Sequence, residues 1–316
     1  MKATQLATPS NRTPKVSVCV TTFNHEKYIS TCLDSILSQE TDFEFEVVVG
    51  DDCSTDQTQK ILKAYAAKHP NVITLICQDT NQYSIGKSSG NLFQIKSIAQ
   101  GQYVANCDGD DSWLPGKLQY QIDLLDANPN AAQCWTATNL IDDNNMVIGK
   151  FPNFFSKVLS PRWVSAKQIA RSYSLFGQHS TQVYRNYDTL CWDPNNPSLD
   201  FLHAFQIALY GPGIYSKKIL SNYRITSSHS VTRNADAAKD AVGVLSKCLF
   251  YIITKHPNYA AQAKANLIVR YFFSRVRGHN MKIIHDIYTK SKTTKTTPID
   301  IMISLFYFCL EKIFSR

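Results

Sequence analysis

After a polar opening, short apolar runs alternate with longer segments whose apolar residues recur at helical spacing. "VSVCV" (16–20) has the length and β-branched content of a strand, and "YISTCLDSILSQ" (28–39) then sets Ile29, Cys32, Leu33, Ile36 and Leu37 on one helical face. "FEFEVVVG" (43–50) and "VITLIC" (72–77) repeat the strand pattern. Between them, "STDQTQKILKAYAAKHP" predicts a helix opening on a Ser54/Gln57 capping box and ending by Pro70. A loop rich in Gly, Ser and Asn (79–91) leads to a helix near 91–100, the strand "YVANC" and the helix "KLQYQIDLLDANP". Such near-continuous apolar strands between amphipathic helices predict an α/β fold with a mostly parallel sheet covered on both faces.

Ligands of such sheets bind beyond the carboxyl ends of the strands. Three polar clusters fall there: "TTFNH", "DDCSTD" and "DGDD".

Beyond about 150 the pattern becomes aromatic-rich and punctuated by Pro and Asn, with a predicted helix at 198–210 and a short strand at 213–216. From about 235 three helical stretches follow, the last two separated by the linker-like "KSKTTKTTP" (290–298). Charge divides the chain in the same place. Residues 235–316 carry thirteen Lys and Arg against five Asp and Glu, whereas residues 1–234 hold twenty of each. A basic tail of this kind suits anionic lipid or a phosphate-bearing partner. No zinc-finger spacing or RNA-binding aromatic signature accompanies it, so nucleic acid is not expected.

Residues 299–314 are apolar almost all round but shorter than the roughly 20 residues of a membrane span. A helix docked on its own domain, a face shared in a homodimer, and attachment at a membrane interface all stay open. Nine scattered cysteines without a CxxC pair read as small buried hydrophobes in a reducing compartment. With no leader-like start, a cytoplasmic chain is expected, free or peripheral on the inner face of the membrane.

"NCDGDDSWLPGKL" (106–118) crowds Asp108, Asp110 and Asp111 at a strand end. An acidic turn explains this as chain geometry; a divalent cation explains it as chemistry, by relieving the mutual repulsion of the carboxylates. The ordered set "VSVCVTTFNHEKYISTCLDSILSQ", "EVVVGDDCSTDQT", "NQYSIGKSSGN" and "GQYVANCDGDDSWLPGKLQYQIDLL" resembles the family-2 glycosyltransferases, GT-A-fold enzymes that use nucleotide sugars, particularly those assembling bacterial surface polysaccharides. The resemblance covers roughly 16–230. It implies a flexible lead-in (1–14), a GT-A domain (15–234) with nucleotide-sugar-binding (15–150) and acceptor-binding (151–234) parts, and a basic helical extension (235–316).

The resemblance also implies roles. Asp110 meets Mn2+ or Mg2+, and Asp108 lies toward the ribose or the metal's waters, with Gly109 letting the backbone approach the ligand. Asp52, beside Asp51, accepts from a uracil-like NH; Thr21 and Phe23 meet the base, and Lys87 a phosphate. Asp200, in "SLDFLHAFQIALYGPGIY", is the base of an inverting transfer, although Leu199 replaces the usual first acid. His229 is a further metal ligand, Asp111 supports the site or contacts the acceptor, and His179 stands on the acceptor side. Cys53 occupies a glycine position of the family pattern, which puts the local backbone in question.

The expected activity is addition of one sugar, from a UDP-sugar by preference, to a glycan or lipid-linked acceptor. Processive synthesis is not expected without a Gln-x-x-Arg-Trp signature. A non-catalytic binding scaffold and a nucleotidyltransferase are the alternatives. The latter lacks its glycine-rich loop, since "TTFNHEKY" has no glycine, and a phosphoaspartate enzyme lacks its DxDxT.

Overall fold

The computed structural model describes residues 4–6, 13–84, 90–151, 162–171, 177–187, 200–225, 235–276, 289, 291, 295–302 and 304–305. Its contacts divide the chain into two units: 1–151 with 177–196 and 213–224, and 152–176 with 197–212 and 225–316. Beyond 151 the chain alternates between the two units.

The first unit is built on one sheet. Its strands are β1 (Thr4–Leu6), β2 (Val16–Thr22), β3 (Phe45–Asp51), β4 (Ile73–Cys77), β5 (Tyr103–Asp108), β6 (Ser112–Trp113), β7 (Gln133–Ile141) and β8 (Val147–Phe151). β10 (Val183–Arg185) and β11 (Gly213–Arg224) complete it, and β9 (Trp163–Val164) belongs to the second unit. The strand order is β1-β4-β3-β2-β5-β10-β7-β11-β6, with β8 beside β7. β4, β3, β2 and β5 run parallel. Val16, Val18, Val20 and Val47 to Val49 are fully buried, as strands covered on both faces require.

The helices form where spacing predicts them: α1 (Ile29–Leu37), α2 (Thr58–Lys68), α3 (Gly90–Ser97) and α4 (Lys117–Asp126). α1 buries Ile29, Cys32, Leu33 and Ile36. The Ser54/Gln57 capping box does not form: α2 starts at Thr58, whose N–H donates to Asp56 Oδ1 at 2.9 Å. Two further differences follow from strand edges. Part of the expected lead-in is β1, which pairs antiparallel with β4 and covers an otherwise open edge. The strand expected at 213–216 runs to Arg224, because β7, which the hydrophobic pattern does not announce, pairs with it along its length.

Lys117 opens α4 and is wholly buried. Its Nζ lies 4.1 Å from the centroid of the Trp113 ring and has no hydrogen-bond partner among the described residues.

The second unit comprises β9, α5 (Ala166–Arg171), α6 (Asp200–Ile207), α7 (Ala235–Lys255) and α8 (Ala260–Val276), followed by helical residues at 298–302 and 304–305. Phe205 meets His256 and Tyr259 edge-on, at centroid distances of 5.4 and 5.3 Å. Arg171 Nη2 and Asp300 Oδ1 form a 2.5 Å ion pair. Among the described residues, no helix is long and apolar enough to cross a membrane. Cys19, Cys32, Cys107, Cys134 and Cys248 are buried free thiols, while Cys53 and Cys77 are partly buried.

Candidate active site

β2, β3 and β5 end side by side, Thr21 standing in register with Gly50 on one side and Asp108 on the other. Chain progression across the sheet reverses between β2 and β5, and such a switch point leaves a crevice at the carboxyl ends. Thr21 Oγ1 donates to Asp108 Oδ1 across it at 2.8 Å. The acidic turn is closed by Gly109 N to Thr21 O (2.8 Å) and Asp111 N to Asp108 O (2.9 Å). A Cβ on Gly109 would lie 2.8 Å from Thr22 Oγ1 and 3.0 Å from His25 Nδ1. Close approach of protein to protein therefore requires this glycine.

The three carboxylates have different surroundings. Asp111 is enclosed, accepting from Arg224 N at 2.8 Å and from Ser180 Oγ. Both of its oxygens thus accept from protein donors. Burial, then the charges of Asp110 and Asp108, push its pKa well up. Asp108 receives Thr21 Oγ1 and lies 3.1 Å from His179 Nδ1. Burial works to raise its pKa, but the charge and hydrogen bond of His179, with that of Thr21, outweigh this and hold it low. Neither oxygen of Asp110 takes a hydrogen bond from another of the described residues; His25 Nε2 stands 4.0 Å from Oδ2. Burial raises the Asp110 pKa, the Asp108 charge adds to this, and His25 opposes it.

Among the described residues, no three His, Cys, Asp or Glu side chains form a ready-made cation cage. Asp110 with Asp108 fits a smaller requirement. A magnesium-type cation is held by one or two carboxylates when substrate phosphates and water complete its shell, and a carboxylate crowded toward protonation gains from a neighbouring positive charge.

The second acidic pair braces loops. Asp51 is fully buried, accepting from Ser54 N (2.9 Å) and Gln59 Nε2 (2.8 Å). Asp52 accepts from the backbone N–H of Gln82 (2.7 Å) and Tyr83 (3.2 Å), and burial is the main reason its pKa is raised. The loops after β2 and β3 also clasp each other. Asn24 N donates to Ser54 Oγ and Thr55 N to Asn24 Oδ1, both at 2.8 Å; Glu26 N donates to Asp56 Oδ2 (3.1 Å) and Gln57 N to Glu26 Oε2 (2.9 Å). Cys53 adopts φ 63°, a left-handed conformation at the position where the resemblance expects glycine. Phe23 is 41% exposed and offers a flat apolar face.

His179 turns its Nδ1 to Asp108 Oδ1. Asp200 is the exposed first residue of α6 in the second unit. Lys87 and His229 lie outside the described residues. Sequence reasoning missed His25, Ser180 and Arg224. His25 sits in a motif already quoted and Ser180 beside His179, yet only the tertiary contacts single the three out.

A parallel half-sheet with acid-bearing loops gathered at its switch point is the architecture of the GT-A class of nucleotide-sugar-binding folds. Residues 17–187 match Glycosyl transferase family 2, and the chain belongs to that family. An uncharacterised protein of Mycobacterium tuberculosis is 36% identical over 138 residues, 43% of this chain and 39% of the relative. The match thus spans well under half of that relative's length. Among solved structures, Staphylococcus aureus TarS 1–349 in complex with UDP-GlcNAc shares the fold at TM-score 0.64 and 22% identity, covering 88% of this chain and 79% of that one. The mannosyltransferase PcManGT of Pyrobaculum calidifontis, in complex with GDP-Man and Mn2+, aligns at TM-score 0.55 and 17% identity over 97% of this chain and 89% of that one.

Proposed function

We propose that the chain transfers one sugar, with inversion and without processivity, from a nucleotide-diphospho-sugar to a hydroxyl of a glycan or lipid-linked acceptor in surface polysaccharide synthesis. The observation that carries the reading is the Asp110 carboxylate, held at the switch point beside Asp108 and taking no hydrogen bond from another of the described residues. UDP is the favoured nucleotide, in keeping with the UDP-GlcNAc complex of TarS. Asp110, with Asp108 beside it, holds Mn2+ or Mg2+, and His229 is a further candidate ligand. When bound, the cation compensates the charge of the departing diphosphate.

The Phe23 ring stacks on the base. Asp52 keeps lone pairs beyond its two backbone bonds for a base NH. Thr21 positions Asp108, and Lys87 meets a phosphate. Asp200 takes the proton of the acceptor hydroxyl as its oxygen bonds to the anomeric carbon and the nucleoside diphosphate leaves. Its place at a helix start favours the ionised carboxylate. The basic C-terminal region contacts the inner membrane surface peripherally, a reading supported by exposed Ile299, Met302 and Leu305 at helical spacing beside Lys295. A homodimer formed through that stripe is the competing arrangement, and a shift in oligomeric state on its substitution identifies it.

The test is thermal stabilisation by UDP and by GDP, each with manganese and with chelator. A ligand binding the native state raises its apparent stability. UDP stabilisation that depends on manganese and disappears in Asp110→Asn is expected; metal-independent behaviour sinks the donor-site assignment. Asp200→Asn should keep this binding and lose transfer.

A further inference from the structure

We infer that Arg224 is a positioning residue for the cation site, a clamp that fixes the acidic turn by tying it to the β7–β8 hairpin and to the entry of α1. The inference rests on the assignment of Asp110 as a metal ligand. Arg224 ends β11 and is 2% exposed. Its backbone N–H donates to Asp111 Oδ1 at 2.8 Å, and its Nε donates to the Asp110 carbonyl at 2.9 Å. The other end of the guanidinium serves the hairpin turn: Nη1 donates to the Asp142 carbonyl and Nη2 to Asn145 Oδ1 at 2.5 Å. The guanidinium carbon stands 4.2 Å from the centroid of the Tyr28 ring, and Tyr28 OH donates to Asp143 Oδ1 at 2.9 Å.

One rigid plane therefore sets the spacing between the turn that carries Asp110 and a hairpin turn remote from it in sequence. The guanidinium fork can do this because its donors are fixed relative to one another; a lysine ammonium brings the same charge at a single point. Asn145 holds φ 62°, a left-handed conformation within the turn that offers Nη2 its amide oxygen. Arg224 bonds the Asp110 backbone and leaves the carboxylate open. It acts through Asp110, and it keeps a permanent positive charge beside three acids that would otherwise repel one another.

Partners that orient metal ligands cost roughly 10- to 100-fold in metal affinity when replaced. Arg224→Lys keeps the charge and loses the fork. UDP binding is measured by calorimetry with manganese and with chelator, in wild type, Arg224→Lys and Asn145→Ala. The expected result for Arg224→Lys is a loss of that order in the manganese-dependent affinity for UDP, with the affinity in chelator unchanged. Asn145→Ala, which removes one hairpin arm, should show a smaller loss with the same metal selectivity.

Wild-type manganese dependence in folded Arg224→Lys overturns the inference. So does an equal loss with and without metal, since a merely structural role predicts that. If Arg224→Lys does not fold, Asn145→Ala decides on the same two criteria. A wild-type protein without manganese-dependent UDP binding overturns the donor-site assignment itself and this inference with it. That outcome is separate from wild-type-like variants of a metal-dependent protein.

Discussion

Replacing Lys117 with methionine tests how much the core beneath the acidic turn loses by enclosing a charge. Burial lowers the Lys117 pKa from 10.5 to about 8, with Cys107 and Cys134 opposing it slightly. That displacement corresponds to about 3 kcal/mol of penalty on the charged form at neutral pH. The Trp113 face returns part of it, since a desolvated cation over an indole ring gains about 2 kcal/mol. Methionine keeps most of the stem and needs no hydrogen bond, so Lys117→Met should be more stable at pH 7 by about 1 kcal/mol.

The sign with pH is fixed by the direction of the shift. A lysine whose pKa is lowered on folding binds its proton more tightly in the unfolded chain, so its penalty is present below about 8 and fades as pH rises to 10.5. The variant's advantage of about 1 kcal/mol should therefore fade over that window, because the gain from the ring is lost together with the penalty when the ammonium deprotonates. Urea unfolding of both proteins at pH 7, 8 and 10.5 reads this difference, and the titration of other groups cancels between them. A variant less stable at pH 7, or a gap that stays constant across the window, refutes the reasoning.

Asp300 titrates at about 2: burial alone would raise it, but the hydrogen bond and charge of Arg171, with the hydrogen bonds of Thr297 and Gln262, hold it low. Its contribution, about 2 kcal/mol, is present above pH 4 and lost as pH falls toward 2. Asp300→Ala should therefore melt lower at pH 6 and show a flatter acid limb than wild type. At Cys53, held at φ 63°, substitution by valine should cost about 1–2 kcal/mol in urea unfolding, whereas glycine should fold at least as stably as cysteine.

The parallel half of the sheet was legible because its signals are local. Val16 to Val20 and Val47 to Val49 are apolar runs of strand length, and α1 carries its buried face at regular spacing. β7 escaped because "QCWTATNLI" buries polar residues on polar partners: Thr138 Oγ1 donates to Ser221 O and Asn139 Nδ2 to Asn222 Oδ1, both at 2.9 Å. A pattern sought in hydrophobicity cannot register a strand whose neighbours satisfy it by hydrogen bonds.

In the site, the acidic turn announced itself by crowding, but its division of labour did not. Asp111 and Asp51 have the same chemistry as Asp110, and only the tertiary contacts show that Ser180, Arg224, Ser54 and Gln59 bond to them. Arg224 was hidden by distance along the chain, since the groups it binds lie between 79 and 114 residues away.

The reciprocal clasp between the loops after β2 and β3 bears on the entropy of donor binding. Phe23 and Asp52 stand on different loops, yet Asn24 and Glu26 are bonded to Ser54, Thr55, Asp56 and Gln57 from both directions. Two independent loops would each lose conformational freedom on meeting a nucleoside, at about 1–2 kcal/mol for every backbone residue fixed. Joined in this way they lose it once, during folding, and the two surfaces are preorganised as one before any ligand arrives.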